Sequence, residues 1–214
     1  MSQWIVLANG AEHYLSGIDA AHNHFCPDTL AHHLALINRF TGATQRPYSV
    51  AEHSLLCADI AEHLGLPLVV QLACLVHDYH EAITGDCSYP AKLAVGHAWA
   101  AFEQPIARAL HRQLGLLSTF TAWRTRIKAV DLVALATERR DLLAYNPATN
   151  QPWPILDTPG QVVAPFTGYT LNTMKREHMD WTEWRDTLRT RFNTLAQRAK
   201  EEHAARMSCT TEAA

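Results

Sequence analysis

From Leu68 to Val76 the chain reads Leu-Val-Val-Gln-Leu-Ala-Cys-Leu-Val, a run that is apolar almost all round a helical circumference. A helix of this kind has no face to offer water, so other elements must wrap it on every side. Pro67 suits its first turn, and the helix is expected at the centre of the fold. Helical periodicity dominates the rest of the chain, and strand-like alternation is scarce. Asp28 is placed to cap a helix running through Leu30, Leu34 and Ile37 to Phe40, with Gly42 as the turn after it. Ser49-Val50-Ala51-Glu52 has capping-box spacing, and the helix it opens should end at Gly65. Residues 91 to 114 read as a further helix kinked at Pro105. Residues 119 to 145 read as a long one, with Ile127, Val130, Ala134 and Leu135 on one side.

The stretch from Asn146 to Gly168 contains Pro147, Pro152, Pro154, Pro159 and Pro165 and should be an irregular excursion, long enough to suggest a cover or an interface. A last helix is expected over 172 to 205, with Trp181, Trp184, Leu188, Phe192 and Leu195 at spacings of three and four, followed by a frayed tail over 207–214. No internal repeat or second boundary is visible, so residues 1–206 read as one all-α domain.

Composition narrows the function classes. The chain has 214 residues, 48% of them hydrophobic and 18% charged, which excludes a disordered chain, a coiled-coil rod and a collagen-like fibre. Eighteen Lys and Arg stand against 21 Asp and Glu, a net charge of -3, so bulk attraction to nucleic acid or an anionic membrane is not expected. No apolar stretch reaches the roughly 18 residues of a membrane span, and a soluble cytoplasmic chain is the expectation. Cys26, Cys57, Cys74, Cys87 and Cys209 form an odd set without a CxxC, which suggests neither a disulfide framework nor a zinc ribbon. Cys57 and Cys74 fall within apolar helical patterns and read as core thiols.

Thirteen histidines are the unusual count, and two of them stand out by position. His53 lies three residues after Val50 and four before Cys57, on the inner side of its helix. The pair His77-Asp78 ends the apolar run. Asp131, four after Ile127 and four before Leu135, also points inward. Buried carboxylates need positive compensation, and one divalent ion, zinc, cobalt, manganese or magnesium, would serve both aspartates at once. Two imidazoles and two carboxylates leave coordination positions open, and such an ion activates water and polarises phosphoryl oxygens. Glu81 follows His77 by four, so on a continuing helix it would share that face and could orient water.

The strings Ala-Glu-His53-Ser, Val-His77-Asp78-Tyr-His-Glu81-Ala, Thr84-Gly85-Asp86 with Pro90-Ala-Lys92, and Val-Asp131 resemble the H...HD...D pattern of the HD-domain metal-dependent phosphohydrolases. The fuller string HDxxEAxTGDxxxPxK is similar to the subgroup of bacterial 5′-deoxynucleotidases and phage dATP triphosphohydrolases. The resemblance covers residues 28 to 145. It implies a helical bundle holding one divalent metal on His53, His77, Asp78 and Asp131. It further implies that Glu81 handles the nucleophilic water, Asp86 supports acid-base chemistry, and Arg39 and Lys92 hold phosphates of a deoxynucleotide.

Physical chemistry points the same way for the cations: Arg39 and Arg46 before His53, and Lys92 after the turn, could offset phosphate charge. Glu138-Arg139-Arg140-Asp141 could add another phosphate contact. His80 reads as packing beside the site, and His22, His24, His32 and His33 as surface or cap residues. Trp181 and Trp184 read as core or subunit contacts, and self-association through the last helix is expected. The expected activity is a dNTP triphosphohydrolase or a 5′-deoxynucleotidase. The rivals are a (p)ppGpp hydrolase, disfavoured because Glu81 is followed by Ala82, and a non-catalytic nucleotide-sensing module with a structural metal.

Overall fold

The computed structural model describes the backbone of residues 2–212 and the side chains through residue 208. The chain is mostly helical. Helices α1 (Pro27–Leu36), α2 (Val50–His63) and α3 (Leu68–Val76) precede the short α4 (Glu81–Thr84) and α5 (Tyr89–Val95). Then come α6 (His97–Gln113), α7 (Leu117–Ala122), α8 (Arg124–Leu142), α9 (Pro154–Asp157), α10 (Met174–His178) and α11 (Trp181–Glu212). A small antiparallel hairpin, β1 (Trp4–Val6) with β2 (Glu12–Tyr14), pairs Ile5 with His13 and precedes the helices. Three-residue strands are too short to carry a visible alternation, which is why periodicity does not find them.

The apolar run becomes α3, whose residues from Val70 to Val76 are all buried. It packs against α2, α8 and α11, as a helix without a polar face must. One apolar cluster gathers α1, α2, α3, α6 and α11, with Leu34, Leu75, Leu110 and Leu188 fully enclosed. A second, including Leu56, Cys57, Cys74, Ala134 and Leu142, fills the space among α2, α3 and α8. The site described below is built from α2, α8 and the turn that leaves α3.

Several boundaries differ from expectation, each for a local reason. Cys26 is the cap of α1 and Pro27 its first residue, leaving Asp28 inside the first turn with its carboxylate on Arg189 at 2.8 Å. That helix stops at Leu36, not Phe40. Ile37 turns extended, Asn38 bridges Ser49, and the Arg39 N–H donates to the Tyr48 carbonyl at 2.8 Å. The carrier of Arg39 is therefore an extended strand-like segment. Phe40 and Thr41 follow at φ +54 and +51, a conformation disfavoured for bulky and β-branched residues.

At α2 only half of the capping box forms: Ser49 Oγ accepts from the Glu52 N–H at 3.2 Å, but the Glu52 carboxylate turns away to arginines. The helix closes as expected, with Gly65 at φ +64 and the Leu66 N–H reaching back to the Ala61 carbonyl. The expected helix over 91 to 114 is split at Gly96, φ +68, with Pro105 inside its second part. The one over 119 to 145 is split at Trp123, and Leu143 turns extended, so Tyr145 lies outside it. The last helix begins at Trp181, where Asp180 accepts from the Thr182 and Glu183 N–H groups at 2.7 and 3.0 Å. It continues to Glu212 instead of fraying from 207, and the final two residues lie outside the described chain.

The proline-rich stretch is irregular apart from α9, as expected. It is pinned to α8: Thr137 Oγ1 accepts from the Phe166 N–H at 2.8 Å, and Arg139 grips Asp157 at 2.6 and 2.7 Å.

Candidate metal centre

Three elements bring the four expected donors together. On α2, His53 is fully buried, and its Nε2 lies 3.3 Å from His77 Nε2, 3.3 Å from Asp78 Oδ2 and 3.5 Å from Asp131 Oδ1. His77 Nε2 in turn lies 3.2 Å from Asp78 Oδ2 and 3.7 Å from Asp131 Oδ1. The α-helical pattern of α3 tightens after Val76. The N–H of Tyr79 bonds Val76, and that of Glu81 bonds Asp78, in three-residue turns. Glu81 therefore does not continue the helix that carries His77.

The hydrogen bonds assign the tautomers. His53 Nδ1 donates to Glu138 Oε1 at 2.5 Å and His77 Nδ1 to the Cys74 carbonyl at 2.8 Å. Each ring thereby turns its Nε2 to the shared centre, where the neutral form offers the lone pair that metal-bound histidines require. The electrostatics agree. Burial opposes a charged His77, yet Asp78 and Asp131 outweigh it and hold the imidazole well above its ordinary range. Burial likewise opposes ionisation of Asp78, and His77 and His53 drive its carboxyl well below the usual value. A pocket that pulls protons onto histidines and off aspartates is one that calls for positive charge at its centre. Among the described residues, donor atoms of His53, Cys57, His77 and Asp131 all lie within 4.8 Å of one another. These groups could hold a metal ion.

Around the centre, Arg39 is buried, with Nη1 3.4 Å from Asp78 and Nη2 3.3 Å from Glu138. Glu81 is 2% exposed. Its Oε1 lies 3.7 Å from Lys92 Nζ and its Oε2 has no partner. Burial, then Asp78 and Asp86, push the Glu81 carboxyl well above its usual range. Asp86 is within electrostatic reach of Arg39, Asp78, His53 and Lys92, and burial raises its carboxyl too. Lys92 binds Glu103 at 2.6 Å.

The structure also sets residues apart. Arg46 is buried and committed: Nη1 and Nη2 donate to the two Glu52 oxygens at 2.7 Å, and Nη2 also to the Leu171 carbonyl. Both of its terminal nitrogens are thus bonded within the fold. The run from 138 to 141 makes no free cationic patch either, since Glu138 is fully buried against His53, Tyr48 and Arg39, Arg139 is held by Asp157, and Arg140 by Asp141.

Two residues of the centre carry roles that spacing did not assign. Glu138 is seven residues, two helical turns, beyond Asp131 on α8, so a shared face was readable, but its partner His53 was not. Glu103 on α6 accepts from Lys92 and lies 3.3 Å from His80 Nε2, and an isolated glutamate on a surface-looking helix carries no signal of this. Of the other histidines and tryptophans, His22 and His24 are exposed, His33 accepts from the Ala8 N–H, His32 meets Trp181 edge-on, and Trp184 is buried.

No protein-family model matches the chain. It is similar to an uncharacterized protein of Rhodobacter capsulatus, 33% identical over 126 residues that make up 56% of this chain and 64% of the relative. It is also similar to the uncharacterized protein YfdR of Escherichia coli K12, 32% identical over 124 residues, 58% of this chain and 63% of the relative. The chain thus spans just under two thirds of the length of these curated relatives. Among the described residues no helix is long and apolar enough to cross a membrane.

Proposed function

We propose that this protein is a metal-dependent phosphohydrolase of deoxynucleotides, with His53, His77, Asp78 and Asp131 as the ligands of one divalent ion. The observation that carries the reading is the convergence of two tautomer-locked imidazoles and two ionised carboxylates, with separations of 3.2 to 3.7 Å, from three separate elements. The likeness of HDxxEAxTGDxxxPxK to the deoxynucleotidase and dATP triphosphohydrolase subgroup supplies the substrate class.

A divalent ion bound there polarises a phosphoryl oxygen and makes water more acidic. The chain's own residues supply the rest. Arg39, beside Asp78, and Lys92, between Glu81 and Glu103, present fixed cations to the phosphate oxygens and offset charge as it shifts in the transition state. The unpartnered Glu81 Oε2 accepts a hydrogen bond from the attacking water and takes its proton. Asp86, within electrostatic reach of Arg39 and Lys92, returns a proton to the departing oxygen. Hydrolysis of a monophosphate releases nucleoside and phosphate. Attack at the α-phosphorus of a triphosphate releases nucleoside and tripolyphosphate.

The test is a panel of ribo- and deoxynucleoside mono- and triphosphates, each with zinc, cobalt, manganese or magnesium, with released phosphate and tripolyphosphate measured separately. Release from deoxynucleotides is expected, and no release with any ion overturns the reading. Glu81→Ala should retain the metal and lose about 10²–10⁴-fold in turnover. Unchanged turnover would remove its role.

A further inference from the structure

We propose that Cys57 is a fifth donor to the ion at this centre, a thiolate that selects borderline-soft divalent ions such as zinc or cobalt over magnesium. The inference rests on the metal-centre reading above and deepens it. Cys57 lies one helical turn after His53 on α2, on the same face, and is fully buried. Its Sγ is 3.6 Å from His53 Nε2, the nitrogen that the Glu138 hydrogen bond on Nδ1 turns toward the centre.

The separations suit shared ligation. With metal–nitrogen bonds of about 2.0–2.1 Å and metal–sulfur bonds of about 2.3 Å, a nitrogen and a sulfur that subtend an angle of about 110° at one ion lie about 3.5 Å apart, and two nitrogens about 3.3 Å. The observed His53–Cys57 and His53–His77 separations are 3.6 and 3.3 Å.

The setting of the thiol argues against simple packing. Cys57 belongs to the apolar cluster among α2, α3 and α8, yet its Sγ meets the His53 imidazole within the donor group. Cys74, also buried, does not join the donor group among the described residues. As the sulfur–metal bond forms, the S–H proton leaves to solvent. A soft sulfur beside two imidazoles shifts preference from oxygen-seeking ions to zinc or cobalt.

The experiment loads the full chain with cobalt and records its near-ultraviolet and visible absorption. A sulfur-to-cobalt charge-transfer band is expected in the unmodified protein and in Cys74→Ser. It should vanish in Cys57→Ser while one-to-one cobalt binding and the visible ligand-field bands persist. X-ray absorption of the zinc-loaded unmodified protein needs no variant and should show one sulfur at about 2.3 Å. Bound cobalt without the sulfur band, only nitrogen and oxygen around zinc, or a band that survives in Cys57→Ser overturns the assignment and leaves the centre standing. Failure to bind cobalt or zinc stoichiometrically overturns the centre itself, and the inference with it.

Discussion

Glu52 and His53 are neighbours on α2, both fully buried, and each anchors a cluster of charged groups. Around Glu52 the charges are paired, with Arg46 Nε the one buried atom of the cluster left without a partner among the described residues. Arg46 takes both carboxylate oxygens, Arg176 adds a bond at 2.7 Å, and the Arg46 guanidinium also reaches two backbone carbonyls. Around His53 the polar atoms point at one another: two imidazole Nε2 atoms and two carboxylates meet, with Arg39 on Asp78 and Lys128 on Asp131 at the edge of the group. A buried cluster that satisfies itself is a structural joint, since nothing further can be bound without breaking it. A buried cluster whose donors converge with like polarity is costly unless a ligand completes it, and that cost marks a binding site.

The largest expected effect tests the convergent cluster. Asp131→Ala should lose stoichiometric metal, measured by elemental analysis after dialysis, together with all detectable phosphohydrolase activity. Retention of both would show that the donors do not act as one centre. The paired cluster should behave oppositely. Arg46→Met breaks a buried pair and should cost about 3–5 kcal/mol in denaturant unfolding while metal stoichiometry stays intact. An unchanged unfolding midpoint with loss of metal would invert the comparison.

A subtler probe sits between the clusters. Glu138→Gln keeps the shape that orients His53 but removes the charge behind it, and zinc affinity measured against a chelating dye should fall about 10–100-fold. The same affinity as the unmodified chain would make Glu138 a packing residue only.

The smallest effect lies at the edge of the site. His111 stacks on Phe120 at 3.5 Å, and burial, aided by His80 and His77, lowers its pKa from 6.5 to about 4. Its folded value is depressed, so the unfolded chain binds the proton more tightly, and stability contributed by neutral His111 is present above pH 6.5 and lost as pH falls toward 4. The unfolding free energy from denaturant titration over that window should drop less steeply in His111→Phe, by on the order of 1–2 kcal/mol after allowing for partial exposure. Parallel curves for the two proteins would assign the acid sensitivity elsewhere.

The architecture was legible where periodicity is long and strong. The apolar run of α3, the Ser49 cap and Gly65 terminus of α2, and the irregular proline-rich stretch follow from local chemistry. Boundaries failed where a single residue's backbone choice decided them, as at Ile37, Gly96, Trp123 and Asp180. Among site residues, His53, His77, Asp78 and Asp131 were visible as charges placed on apolar faces. The pairing of Arg46 with Glu52 was not legible, because a cation near a motif in sequence says nothing about which carboxylate it meets in space.

Residue order carries the inventory: a helix that must be central, two imidazoles and two carboxylates that must point inward, and cations close by. The pairing of these groups comes from the packing of the helices. Glu52 and His53 differ by one position, about 100° of helical rotation. That rotation turns one toward Arg46 and Arg176 and the other toward α8 and the turn after α3. Charge pairing is a property of neighbours brought from distant parts of the chain. For that reason the joint and the site became distinguishable only once the helices were packed.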